Sequence, residues 1–112
     1  VNARARTARR TRRDRTRTQR ATARIARTGT ASLTTHAIAA GLPPTQARTV
    51  ASSLRRNAVK LGLTGQPARV HAGRRMRTTA RYTPAQVAAA AATYRPRIAA
   101  YAAARTHFLL AA

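Results

Sequence analysis

Residues 33–54 read LTTHAIAAGLPPTQARTVASSL, and this stretch decides the fold. Ser32, Thr34 and Thr35 supply capping hydroxyls ahead of a short helix running through His36 to Ala40, and Gly41 closes it. Leu42-Pro43-Pro44 then turns the chain, because two prolines cannot continue one helix but can open the next. From Thr45 to Leu61 there is neither proline nor glycine, and Ala47, Val50, Ala51, Leu54, Ala58 and Leu61 fall in one sector at the helical period. The opposite face carries Thr45, Thr49, Ser52, Arg56 and Lys60, with Arg48 alongside. This pattern predicts an amphipathic helix whose wet face is hydroxylic and cationic, without one acid.

Toward the N-terminus the composition changes near Gly29. Residues 1–20 hold nine arginines and no large apolar side chain beyond Val1. A helix there has no face to bury, which predicts an arm of residues 1–16 disordered in isolation and ordered on a phosphate backbone. Ala21 and Ile25 start an apolar stripe, so a first helix is predicted over 17–28, stopped by Gly29.

Beyond the long helix, Gly62 and Gly65-Gln66-Pro67 break the chain. Gly73 then separates residues 68–71 from 74–82, the pattern of a β-hairpin. Thr83-Pro84 opens a C-terminal helical region in which Val87, Ala91, Tyr94, Ile98, Tyr101 and Phe108 follow steps of three and four, counted through Arg105. Pro96 predicts a kink or two consecutive helices. The stripe suits either the domain's own core or the seam of a homodimer, since both use that spacing.

The formal charge is +22, from 22 arginines and Lys60 against Asp14 alone. Such a chain repels itself until a polyanion neutralises it, which points to DNA, RNA or an anionic membrane surface. Guanidinium suits phosphate, which it grips with two donors. Arginine over lysine is also what a GC-rich genome writes, but codon bias does not remove the acids. Catalysis is disfavoured, since acid–base carboxylate pairs and Mg²⁺ sites need more than one acid. His36, His71 and His107 lack ligand spacing and read as surface or DNA-facing side chains. No cofactor, metal or small-molecule substrate is expected. Cysteine is absent. The arginine-rich start has no apolar segment behind it, and arginines interrupt residues 84–112, so the chain reads as soluble, cytoplasmic and nucleoid-associated, with no membrane partner. Its apolar content is mostly alanine, which predicts a thin core helped by DNA or a second subunit.

With Ala37 inside the first helix, Gly41 at the turn, and Leu42, Ala47, Val50 and Leu54 at core positions, residues 33–54 resemble a helix-turn-helix. With the preceding helix and the basic hairpin ending Arg81-Tyr82-Thr83, residues 17–83 resemble the winged helix-turn-helix domain of small bacterial transcription regulators. The resemblance implies a mainly α fold, three helices plus a β-hairpin wing, here with an arginine-rich arm before it and a helical region, 84–112, after it. It also implies that Thr45, Gln46, Arg48, Thr49, Ser52 and Arg56 belong to a helix in the major groove, and that Arg74, Arg75 and Arg77 belong to the wing. Arg4, Arg6, Arg9, Arg10, Arg12, Arg13, Arg15, Arg17 and Arg20 would hold phosphates from the arm. Two features depart from the family pattern: Pro43-Pro44 in the turn, and a C-terminal region of alanine-rich helix too short to enclose an effector pocket. The expected function is sequence-specific binding of double-stranded DNA by a transcription regulator of a high-GC bacterium or its mobile element. The alternatives are a non-specific architectural or packaging protein and an RNA-binding protein of the ribosomal type.

Overall fold

A computed structural model of the chain describes residues 2–112, so Val1 of the predicted arm lies outside the described residues. In chain order the elements are α1 (Ala3–Thr28), α2 (Leu33–Ala39), α3 (Pro44–Lys60), β1 (Gln66–Ala72), β2 (Arg75–Arg81), α4 (Pro84–Ala92) and α5 (Ala99–Leu110). The architecture is mainly helical with one antiparallel hairpin.

The arm and the first helix are one element. α1 begins at Ala3, with the Asn2 side chain accepting from the Ala5 amide, and ends at Gly29, whose φ of 78° places it in the left-handed region. The absence of a buried face argued against a helix here, but arginine and alanine are both strong helix formers. Thr7, Thr11 and Thr16 satisfy their own hydroxyls on carbonyls one turn back. Only the C-terminal part of α1 packs: Ala21 is buried and Ile25 half-buried, while the arginines are exposed.

The turn between α2 and α3 forms as the sequence indicates. Ser32 caps α2 by accepting from the Thr35 amide. At its end Leu42 N–H donates to the Ala37 carbonyl and Gly41 N–H to that of Ile38, with Gly41 at φ 101°. This paired closure satisfies two orphan carbonyls and turns Leu42 into the core. Pro43 is the N-cap residue of α3 and Pro44 its first helical residue, where a missing N–H costs no bond. Ala47, Val50, Ala51, Leu54 and Ala58 are buried as predicted. Leu61 is not; it falls at the C-cap, where the chain leaves the helix, and is exposed.

β1 and β2 pair in register from Gln66↔Arg81 to Ala72↔Arg75, so Gly73 and Arg74 form a two-residue turn with Gly73 at φ 67°. An isolated two-stranded hairpin is marginal in water, and this one is held at its base. Ala31, between α1 and α2, pairs with Tyr82, and Arg81 donates to the Thr30 carbonyl at 2.6 Å and to Thr28 Oγ1 at 3.1 Å. Gly65 permits the close approach there, since a Cβ would stand 2.7 Å from Ala80 Cβ.

His36 completes this anchor. It is buried rather than facing solvent or DNA, and its Nε2 donates to the Tyr82 carbonyl at 2.7 Å. Burial lowers its pKa, the hydrogen bond to Tyr82 partly opposes this, and the nearby His107 adds to the lowering. The folded ring is therefore harder to protonate than the unfolded one, which titrates at about 6.5. Between those two values the unfolded state binds more protons, so stability is full above about pH 6.5 and falls as pH drops below it. The urea midpoint should decrease from pH 7.5 to 5.5, and His36→Gln should flatten that dependence.

Pro96 separates α4 from α5 as predicted, giving two helices rather than a kinked one. Thr83 and Gln86 form a reciprocal capping box at the start of α4. Arg105 donates from Nε to the Ala91 carbonyl and from Nη2 to that of Ala92, so this arginine caps α4 rather than standing free on the stripe. Val87, Ala91 and Phe108 are buried in the chain's own core, and Tyr94 and Tyr101 pack against it. Of the stripe, Ile98 alone stays exposed, at the N-cap of α5. Packing α5 near α1 leaves a cavity of about 230 Å³ lined by Ile25, Ala26, His36, Val87, Phe108 and neighbours. The C-terminal region could not enclose such a space alone; α1 and α2 supply much of its wall.

Candidate nucleic-acid interface

α3 presents one surface to the hairpin. Apolar residues at a spacing of three and four fix its inner face, which leaves Arg48, Ser52 and Arg55, at steps of four and three, on one outer flank. Across from them, the strand alternation puts Arg75, Arg77 and Thr79 on one face of the hairpin, with Val70 opposite Arg77. Between the two lies a groove of about 430 Å³ lined by Arg48, Ser52 and Arg55, by Val70, Arg77 and Thr79, and by Ser32 and Thr34 at the start of α2. No acid lines it. Among the described residues no side chain pairs with Arg48, Arg55 or Arg77, so their donors point to solvent with nothing to neutralise them.

The structure brings Arg48, Ser52 and Arg77 together in this groove. Thr45, Thr49 and Arg56 are exposed on the crest of α3, where Arg56 donates to Ser53 Oγ. Thr49 and Ser52 donate their hydroxyls to their own helix, which leaves their oxygen lone pairs available to a base edge or water. Gln46 lies on the other flank, facing α1. Arg74 occupies the tip of the hairpin, and Arg75 is next to it. All nine predicted arm arginines are exposed.

Arg55, Thr34 and Thr79 also line the groove, and the sequence does not mark them as contact residues. Arg55 was within reach, because it stands seven residues after Arg48 and so on the same flank. Thr34 and Thr79 enter only through the tertiary fold. The only ion pair among the described residues joins Arg17 to Asp14 at 3.4 Å on the surface, which stabilises little in water. Among the described residues no helix is long and apolar enough to cross a membrane.

Comparison with family models, with curated proteins and with solved structures finds no match to this chain.

Proposed function

We propose that this protein binds double-stranded DNA as a winged helix-turn-helix, with α3 in the major groove and the hairpin along the flanking backbone. The observation that carries the reading is the acid-free groove between α3 and β2, with Arg48, Arg55 and Arg77 unpaired on its walls. A helix is about 10–12 Å across and enters the B-form major groove, whereas the deep, narrow major groove of duplex RNA does not admit one. Arginines on its flank can reach guanine, and the lone pairs of Ser52 and Thr49 can accept from cytosine or adenine amino groups. The His36 and Arg81 anchors support the reading, since they hold the hairpin beside α3 rather than letting it swing. The role that follows is sequence-specific binding in transcription regulation.

If Arg48 or Arg55 reads a guanine, alanine at that position should cost about 1–3 kcal/mol on the preferred duplex and relax the preference at one base pair. Titrations on preferred and random duplexes would measure this. An equal loss on both would assign these arginines to phosphates.

That outcome would favour a second reading, a non-specific architectural protein. One observation supports it: the cations are not confined to the α3 side, since Arg4 and Arg15 lie on the opposite face of α1.

A further inference from the structure

The arginines of α1 are ordered. From Arg6 through Arg10, Arg13, Arg17, Arg20 and Arg24 to Arg27 they recur at alternating steps of four and three. At the helical period this places them within a sector of about 100°, on the side opposite Arg4 and Arg15. The stripe is about 32 Å long at 1.5 Å per residue. Its N-terminal half does not open onto bulk solvent alone. Arg6, Arg10, Arg13 and Arg17, with Arg9, form one wall of a cleft of about 620 Å³, and Pro43, Pro44 and Gln46 at the start of α3 form the other. Asp14 also lines this cleft, and its carboxylate is held by Arg17.

We propose that this cleft is a built seat for a DNA backbone, so that α1 and α3 clamp one strand of the duplex whose groove α3 reads. The inference rests on the duplex-DNA reading above and adds the route of the backbone. Five arginines line a space open to solvent, and one carboxylate cannot neutralise them. Each lies about one helical turn or less from the next, so successive phosphates of one strand meet successive donors. α3 contributes the opposite wall beside its own exposed face, and a strand in the cleft therefore borders the groove that α3 enters. The arm acts as a fixed jaw whose position depends on an unbroken helix from Asn2 to Gly29. A flexible cationic tail of the same charge would not do this.

Two charge-matched variants of the full chain separate these cases. Arg6, Arg10 and Arg13 to glutamine removes three charges from the cleft. Arg4, Arg12 and Arg15 to glutamine removes three from outside it. With duplex DNA as the probe, the cleft variant should lower the slope of log affinity against log salt by about 2–3, near 0.9 per lost phosphate contact, and the outside variant by less than about 1. Asp14→Asn, which removes the only acid on the cleft wall, should tighten binding. Thr11→Pro keeps every charge but breaks the helix between the two halves of the stripe. It should lower helical circular dichroism and weaken binding relative to Thr11→Ala. Equal slopes for the two triple variants would overturn the clamp while leaving DNA binding intact. So would a Thr11→Pro protein that binds as tightly as Thr11→Ala, or one that loses no helical signal. Failure of the unaltered chain to bind any duplex would overturn the DNA reading itself, and the clamp with it.

Discussion

Deletion of residues 1–16 should weaken binding to every duplex alike, by an amount that grows as salt is lowered. The deleted segment carries seven of the 22 arginines, all exposed and none contributing to the core. Affinity of this kind comes from counterions released when a cation replaces them on the phosphates, so each lost contact removes about 0.9 from the salt slope. Proteins with about 6–10 such contacts lose on the order of 10³–10⁵ in affinity between 50 and 200 mM salt. The truncated chain should therefore approach the full chain at high salt and fall far below it at low salt. Base preference should survive, because phosphate contacts position the protein without specifying sequence. Binding titrations from low to high salt, on one preferred and one scrambled duplex, measure both effects. A slope unchanged by the deletion would mean that the arm does not touch DNA.

The deletion should leave the rest of the chain folded, and the reason lies in where α1 packs. Its contacts to the core come through Ala21 and Ile25, beyond the cut. A thermal transition that shifts by only a degree or two would separate lost phosphate contacts from lost stability.

Part of this organisation is legible in the sequence. The α2–turn–α3 unit is, because its signals are local. Gly41 marks a left-handed position, Pro43-Pro44 cannot continue the helix before it but can open the next, and the apolar residues from Ala47 to Ala58 repeat at one period. The hairpin is legible through Gly73, and the break between α4 and α5 through Pro96. The helical arm is not legible in this way, because residues 1–16 offer nothing to bury and only the helix propensity of arginine and alanine favours a helix there. The 4–3 arginine stripe was nevertheless present in the spacing.

The anchors were beyond reach for a different reason. His36 is buried by a carbonyl 46 residues away, and nothing in its neighbours distinguishes it from His71 or His107. Arg81 and Arg105 serve carbonyls at Thr30, Ala91 and Ala92, yet as letters they match the arginines that face solvent. Uniform charge conceals which cations hold the fold and which are free to bind. The same ambiguity governed the C-terminal stripe, whose spacing fits a core or a seam. Phe108 and Val87 belong to the chain's own core, and Ile98 remains outside.

Selection from a pool of random duplexes decides whether α3 reads base sequence in duplex DNA while the hairpin holds the flanking backbone. The outer face of α3 offers Arg48 and Arg55 on one flank and the hydroxyls of Thr49 and Ser52 nearby, groups able to distinguish base edges in the major groove. Specific binders of this size class prefer their site to random DNA by about 10³-fold or more at physiological salt, with about 1–3 kcal/mol lost per mismatched pair. Repeated selection should therefore enrich one short motif. Scrambling that motif should reduce affinity by about three orders of magnitude, and Arg48→Ala with Arg55→Ala should erase most of the difference. A pool that stays random through selection, with equal affinity for every duplex, would contradict the claim.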